Sequence, residues 1–118
     1  NAPLLPGQCR RLAQRATLGI ARTGGLGENS SGDIFLAFAT GNRGLHREPG
    51  SRAKVAAQAV ADEALTPLFE AAGEATEEAI VNALCAAVTT SGGDGRITHA
   101  LPLDRLQEIM GAYRPWAS

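Results

Sequence analysis

Seven consecutive residues, Ile34-Phe35-Leu36-Ala37-Phe38-Ala39-Thr40, are almost wholly apolar and carry no charge. A strand with one wet face alternates polar and apolar positions. One that is apolar at every position is buried on both faces, in a sheet covered by a layer on each side. This stretch therefore predicts an α/β architecture with at least one covered sheet. It also creates a mismatch, because such a strand needs hydrogen-bonded neighbours. The remaining sequence provides only two short candidates, Lys54–Val60 and Arg96–Ala100. The expectation is a sheet supplied largely by other polypeptide, either a second chain or a segment ahead of Asn1.

The residues leading into the strand are the candidate site. Gly24, Gly25 and Gly27 permit positive φ angles, and Asn29, Ser30, Ser31 and Asp33 follow at the mouth of the strand. Residues two apart in an extended segment point the same way, so Ser31 and Asp33 can face one site. A carboxylate beside a hydroxyl can orient it, or stabilise a nearby ammonium group. No histidine lies close by in sequence, so a Ser-His-Asp triad does not assemble locally. A base would come from elsewhere, such as a terminal amine. The other reading of the same residues is a loop with a polar strand cap, since small polar side chains dominate ordinary turns.

Other motifs lead nowhere specific. Gly25-Leu26-Gly27-Glu28-Asn29-Ser30 gives G-x-G-x-x-S, and it precedes a strand instead of opening a helix, which is the wrong context for a phosphate cradle. His46 and His99 have no Cys or carboxylate partners at ligand spacing, so no metal and no other cofactor is assigned. Asn29-Ser30-Ser31 fits the glycosylation sequon, a pattern too common to carry weight alone.

Around this centre the periodicity predicts helices. Pro6 to Ala21 places Cys9, Leu12, Ala13, Ala16 and Ile20 on one face and Arg10, Arg11, Gln14 and Arg15 on the other. A second helix begins near Asp62 or Thr66, either of which can cap it, with Pro67 fitting the first turn. Its stripe of Leu68, Ala72, Ala75, Ala79, Ala83 and Ala86 implies close approach to a neighbour. Glu70, Glu74, Glu77 and Glu78 read as a solvated face near the helix start, not as paired acid–base carboxylates. Thr89–Gly95 is a turn. A last helix carries Leu106, Ile109, Met110 and Tyr113, with Asp104 and Gln107 as a capping box.

At 118 residues the chain is one domain's worth or less, and residues 1–118 are read as a single domain portion. Residues 1–54 carry eight Lys/Arg against three Asp/Glu, whereas residues 55–118 carry three against nine. With a pI near 6.1 this is not a nucleic-acid footprint, and oppositely charged helix faces account for it. No apolar run reaches membrane length and no signal peptide is present, so a soluble protein of cytoplasm or periplasm is expected. Cys9 and Cys85 form no disulfide framework and read as buried free thiols. The start at Asn1, without methionine, suggests processing or a longer parent chain.

Several blocks then converge on one family. Asn1-Ala2-Pro3-Leu4, RRLAQRATLGIARTG, NSSGDIFLAFAT, LFEAAGEATEEAIVNAL and ALPLDRL resemble the small subunit of the DmpA-type aminopeptidases. These are L-aminopeptidase/D-amino-acid esterase-amidases and β-peptidyl aminopeptidases. The resemblance spans nearly the whole chain apart from the loop at 42–60. It implies an αββα sandwich of the N-terminal-nucleophile hydrolase type, completed by a partner α chain. It further implies a precursor that cleaves itself into large α and small β subunits, the new N-terminal serine of β being the nucleophile and its α-amine the base. Such enzymes act without a metal on short peptides, amides or esters, commonly as a tetramer of heterodimers. By position, Ser31 and Asp33 match the family's Ser-x-Asp/Glu pair beside the nucleophile. In relatives a short hydrophobic strand headed by that serine comes just before the Asn/Asp-Ala-Pro-Leu segment. Ser30 and Ser31 are internal and cannot replace it. The expectation is either an enzyme whose serine lies on another piece of polypeptide, or a non-catalytic structural or binding subunit that has lost it.

Overall fold

The computed structural model describes residues 1–43, 45 and 55–113. They fall into two units, Asn1–Glu77 and Glu78–Ser118, each taken on its own.

The first unit opens with Asn1–Leu5 and then α1 (Pro6–Arg22). Pro6 stands at the first helical position, where its missing N–H is no loss. Gln8 stands in for a conventional cap. Its Oε1 accepts the Leu5 N–H at 3.1 Å, while its Nε2 donates to the Val60 carbonyl at 2.7 Å. One side chain thus secures the helix start and tethers residues 55–60. Gln8→Ala is expected to cost about 1–2 kcal/mol, read as a shifted urea midpoint of the full-length protein. Cys9 and Gly19 are buried, and Leu12, Ala13, Ala16 and Ile20 half-buried, on the face the periodicity predicts. The helix ends in a Schellman motif. Gly24 N–H reaches the Ala21 carbonyl at 3.1 Å, Gly25 N–H reaches that of Ile20 at 3.0 Å, and Gly24 takes φ 98°.

A 3₁₀ turn, Asp62–Ala64, precedes α2 (Thr66–Ala86). Neither Asp62 nor Thr66 caps α2 as expected. Leu65 holds the boundary, its carbonyl accepting the Phe69 N–H at 3.0 Å, because it is deeply buried, 1% exposed. Asp62 instead meets Arg11 at 3.1 Å. Where α1 and α2 approach, a Cβ on Gly19 would lie 2.6 Å from Thr76 Cβ and 2.9 Å from Glu77 N, and would overlap the Gly73 carbonyl. The close approach is real but is made by Gly73, Thr76 and Glu77 and not by the expected alanine stripe, of which Ala75, Ala79, Ala83 and Ala86 are exposed. One ion pair and two cation–π contacts also join the helices. Arg22 pairs with Glu77 at 3.3 Å, and Arg11 and Arg15 lie 5.2 and 4.5 Å from the centroid of the Phe69 ring. Exposed ion pairs of this kind contribute little energy and mainly fix orientation.

Ile34–Thr40 departs most from expectation. It is extended but belongs to no ladder among the described residues. Phe35, Ala37 and Ala39 are half-buried, and the two alanines pack on the small core of Leu4, Cys9 and Leu65. Ile34, Leu36 and Phe38 are 93%, 88% and 80% exposed. Among the described residues the segment is covered on one face only, since none of them forms a neighbouring strand or a second layer over the other. Residues 55–60 likewise form no strand, and Lys54 and most of the loop at 41–53 lie outside the described residues. Gln58 is nonetheless bound. Its N–H donates to Asn42 Oδ1, and Asn42 Nδ2 donates back to its carbonyl, both at 2.9 Å.

The direction of the chain through this unit matters for the site. Asn1 lies beside Thr40, whose Oγ1 donates to Asn1 Oδ1 at 3.1 Å. From there α1 carries the chain back over about 25 Å, at 1.5 Å per residue. Asp33–Thr40 returns over a similar ~26 Å, at 3.3 Å per residue. Helix and segment are matched in length.

In the second unit a hairpin joins β1 (Thr90–Ser91) and β2 (Ile97–Thr98), pairing Thr90 with Thr98 and Ser91 with Ile97. Gly95, at φ 77°, makes its turn. α3 (Leu103–Ala112) starts two residues earlier than a cap at Asp104 would require. Asp104 sits in its first turn, and no capping box with Gln107 forms, because the extended backbone of Pro102 already sets the boundary. Both cysteines are free; Cys9 is buried as expected, but Cys85 is exposed. Among the described residues no helix is long and apolar enough to cross a membrane.

Candidate active site

The glycines of the Thr23–Gly27 stretch are spent on ending α1 and turning the chain. After Gly24, Gly27 also takes a positive φ of 66°. A tight turn follows, in which Ser31 N–H donates to the Glu28 carbonyl at 2.8 Å. That turn delivers Ser31 and Asp33 to the start of the extended segment.

The two side chains meet as their spacing predicts. Ser31 Oγ donates to Asp33 Oδ2 at 3.3 Å, and both residues are exposed. In this arrangement the carboxylate fixes the direction of the hydroxyl, leaving the hydroxyl's lone pairs and a second carboxylate oxygen for another group. A serine hydroxyl held only by a carboxylate is no nucleophile by itself, since nothing takes its proton at neutral pH. The pair is chemically suited to hold a hydroxyl or an ammonium brought to it. Asn29 and Ser30 lie in the turn and are exposed. His46 lies outside the described residues. Among the described residues no group of three or more His, Cys, Asp or Glu side chains is placed to hold a metal.

Sequence reasoning missed the far end of the segment, where Thr40 and Gly41 contact Asn1 and Pro3. The available signal was a Thr-Gly pair closing an apolar strand, which reads equally well as an ordinary strand exit. It also missed Asn42, whose amide pairs with both backbone groups of Gln58.

The architecture is shared with solved structures. The chain is similar to a β-aminopeptidase of Burkholderia sp., at a TM-score of 0.85 and 48% identity over 99% of this chain and 33% of that one. It is similar also to the L-aminopeptidase D-Ala-esterase/amidase of Ochrobactrum anthropi, described as a variant of the Ntn hydrolase fold. There the TM-score is 0.80 and the identity 39%, over 95% of this chain and 31% of that one. The fold class is therefore the mixed helix-and-sheet fold of the N-terminal-nucleophile hydrolases, as the resemblance implied. The model of peptidase family S58 matches residues 1–98, and the chain belongs to that family. A curated relative, the β-peptidyl aminopeptidase BapA of Sphingosinicella microcystinivorans, is 43% identical over 118 residues, all of this chain and 29% of the relative. The chain thus spans less than a third of the length of these proteins.

Proposed function

We propose that the chain is the β-subunit portion of a self-processing serine aminopeptidase that removes N-terminal residues from peptides, amides or esters. Ser31 and Asp33 support an N-terminal serine nucleophile carried on a strand ahead of Asn1. The observation that carries this reading is the placement of the pair relative to Asn1. Asn1 is clasped to Thr40, at the opposite end of the extended segment from Ser31 and Asp33. A strand leading into Asn1 would run parallel to Ile34–Thr40, with α1 as the crossover that two parallel strands require. About eight residues at 3.3 Å each span the segment, so the first residue of that strand would arrive beside Ser31 and Asp33.

The exposed face of Ile34, Leu36 and Phe38 supports the same reading. Covering each such side chain contributes about 1.5–3 kcal/mol. The segment's free backbone groups need partners as well. A core of three buried residues among those described, Leu4, Cys9 and Leu65, is too small to fold a chain of this length alone. The large α subunit would supply the remaining layers, and the αβ units would associate into a tetramer of heterodimers.

The chemistry follows from a serine at a chain terminus. Its α-amine takes the hydroxyl proton as Oγ attacks the scissile carbonyl, and the protonated amine then gives that proton to the leaving amine or alkoxide. Water cleaves the resulting ester by the reverse sequence. The Ser31 hydroxyl and Asp33 carboxylate orient the serine and its ammonium throughout. The names of the relatives, β-peptidyl aminopeptidase and L-aminopeptidase D-Ala-esterase/amidase, agree with such a substrate class.

Intact mass and N-terminal sequencing of every chain in the native protein test this directly. The expected result is a chain beginning with serine about eight residues ahead of Asn1. Its complete absence would instead favour a non-catalytic subunit of the same fold.

A further inference from the structure

We propose that Thr40 and Gly41 form a register pin. They fix where the strand ahead of Asn1 lies along Ile34–Thr40 and so place its first residue opposite Ser31 and Asp33. The inference rests on the functional reading above and assigns a task to residues at the other end of the segment.

Two independent contacts make the pin. Thr40 Oγ1 donates to the Asn1 side chain at 3.1 Å. A Cβ on Gly41 would lie 2.6 Å from the Asn1 carbonyl oxygen, 2.5 Å from Pro3 N and 2.6 Å from Pro3 Cα. All three are backbone atoms, so only a glycine lets the two stretches come this close. The pin is itself braced. Arg43 Nε donates to the Thr40 carbonyl at 3.2 Å, and the paired amide contacts of Asn42 with Gln58 hold the next residue.

The need for a pin comes from the period of a strand. A slip of one residue turns every side chain to the opposite face and moves the strand by about 3.3 Å. That displacement exceeds hydrogen-bond tolerance, so a slipped serine would lose both Ser31 and Asp33. The exposed face of the segment cannot prevent such a slip, since Ile34, Leu36 and Phe38 give a nearly uniform apolar surface. Directional contacts at Asn1 can. Thr40 and Gly41 are positioning residues and touch no substrate.

The test uses the full-length precursor, as wild type and as Thr40→Val, Thr40→Ser and Gly41→Ala. Self-cleavage is followed over time, kcat and KM are measured on a chromogenic amino-acid anilide, and the urea midpoint is recorded. Thr40→Val and Gly41→Ala are expected to slow self-cleavage and lower kcat tenfold or more, with KM within twofold, as misplacement by about 1 Å or more does. Thr40→Ser, which keeps the hydroxyl, is expected to recover kcat to within threefold of wild type. Thr40→Val decides the matter if Gly41→Ala fails to fold. The pin is overturned if Thr40→Val keeps wild-type kcat and processing, or if Thr40→Ser is as impaired as Thr40→Val. A wild-type precursor that yields no serine-starting chain overturns the functional reading itself, and the pin with it.

Discussion

Ser31→Ala and Asp33→Asn, each introduced into the complete precursor, are expected to lower peptidase turnover about 100-fold or more. That is the usual effect of removing one preorganised hydrogen-bonding group from a reacting centre. Self-cleavage should slow in parallel, because in the proposed mechanism the same serine attacks in both reactions. Stability should not change. Both residues are exposed, and their mutual contact at 3.3 Å is the one side-chain hydrogen bond either makes among the described residues. The double variant should be little worse than the worse single one, since the two groups act on one hydroxyl as a unit. Gel analysis of precursor cleavage, initial rates on an amino-acid anilide and thermal melting together check the expectation. Full activity in both single variants would remove Ser31 and Asp33 from the site.

The second large effect concerns two glycines at one helix crossing that should respond in opposite directions. Gly19→Ala places a methyl group against the Gly73 carbonyl, Thr76 Cβ and Glu77 N, mostly backbone that cannot rotate away. The expected loss is about 1–3 kcal/mol, the cost of overpacking. Gly73→Ala meets nothing closer than the Arg15 carbonyl at 3.9 Å and Arg22 Nη1 at 4.0 Å. With its helical backbone unchanged, it should gain about 0.5–1 kcal/mol from lower chain entropy in the unfolded state. Urea denaturation of the full-length protein separates the two. Equal losses at both positions would mean that the helices cross differently.

How much of this was legible in the sequence depended on whether the deciding interaction was local. The faces of α1 were legible because Cys9, Leu12, Ala13, Ala16 and Ile20 recur at helical spacing. The meeting of Ser31 with Asp33 was legible because alternation in an extended chain is a property of the backbone. The start of α2 was not, since Leu65 overrides two better capping residues through burial, which depends on distant parts of the chain. The capping box at Asp104 failed for a similar reason, because the extended Pro102 decided the boundary first. The segment Ile34–Thr40 is the instructive case. Its composition anticipated two covered faces, and this chain covers one. Composition reflects the environment of the complete assembly proposed above, whereas the contacts described are those among residues of this chain.

The reciprocal amide pairing of Asn42 with Gln58 has a consequence for chain length. By offering a donor and an acceptor to both backbone groups of one residue, the Asn42 side chain behaves as an extra strand position and seals the base of the connection between them. Closing a longer connection is inexpensive, about 0.6 kcal/mol for a doubling of length. Inserting residues between positions 42 and 58 is therefore expected to cost little stability while this clasp holds the chain leading out of Ser31 and Asp33 in place.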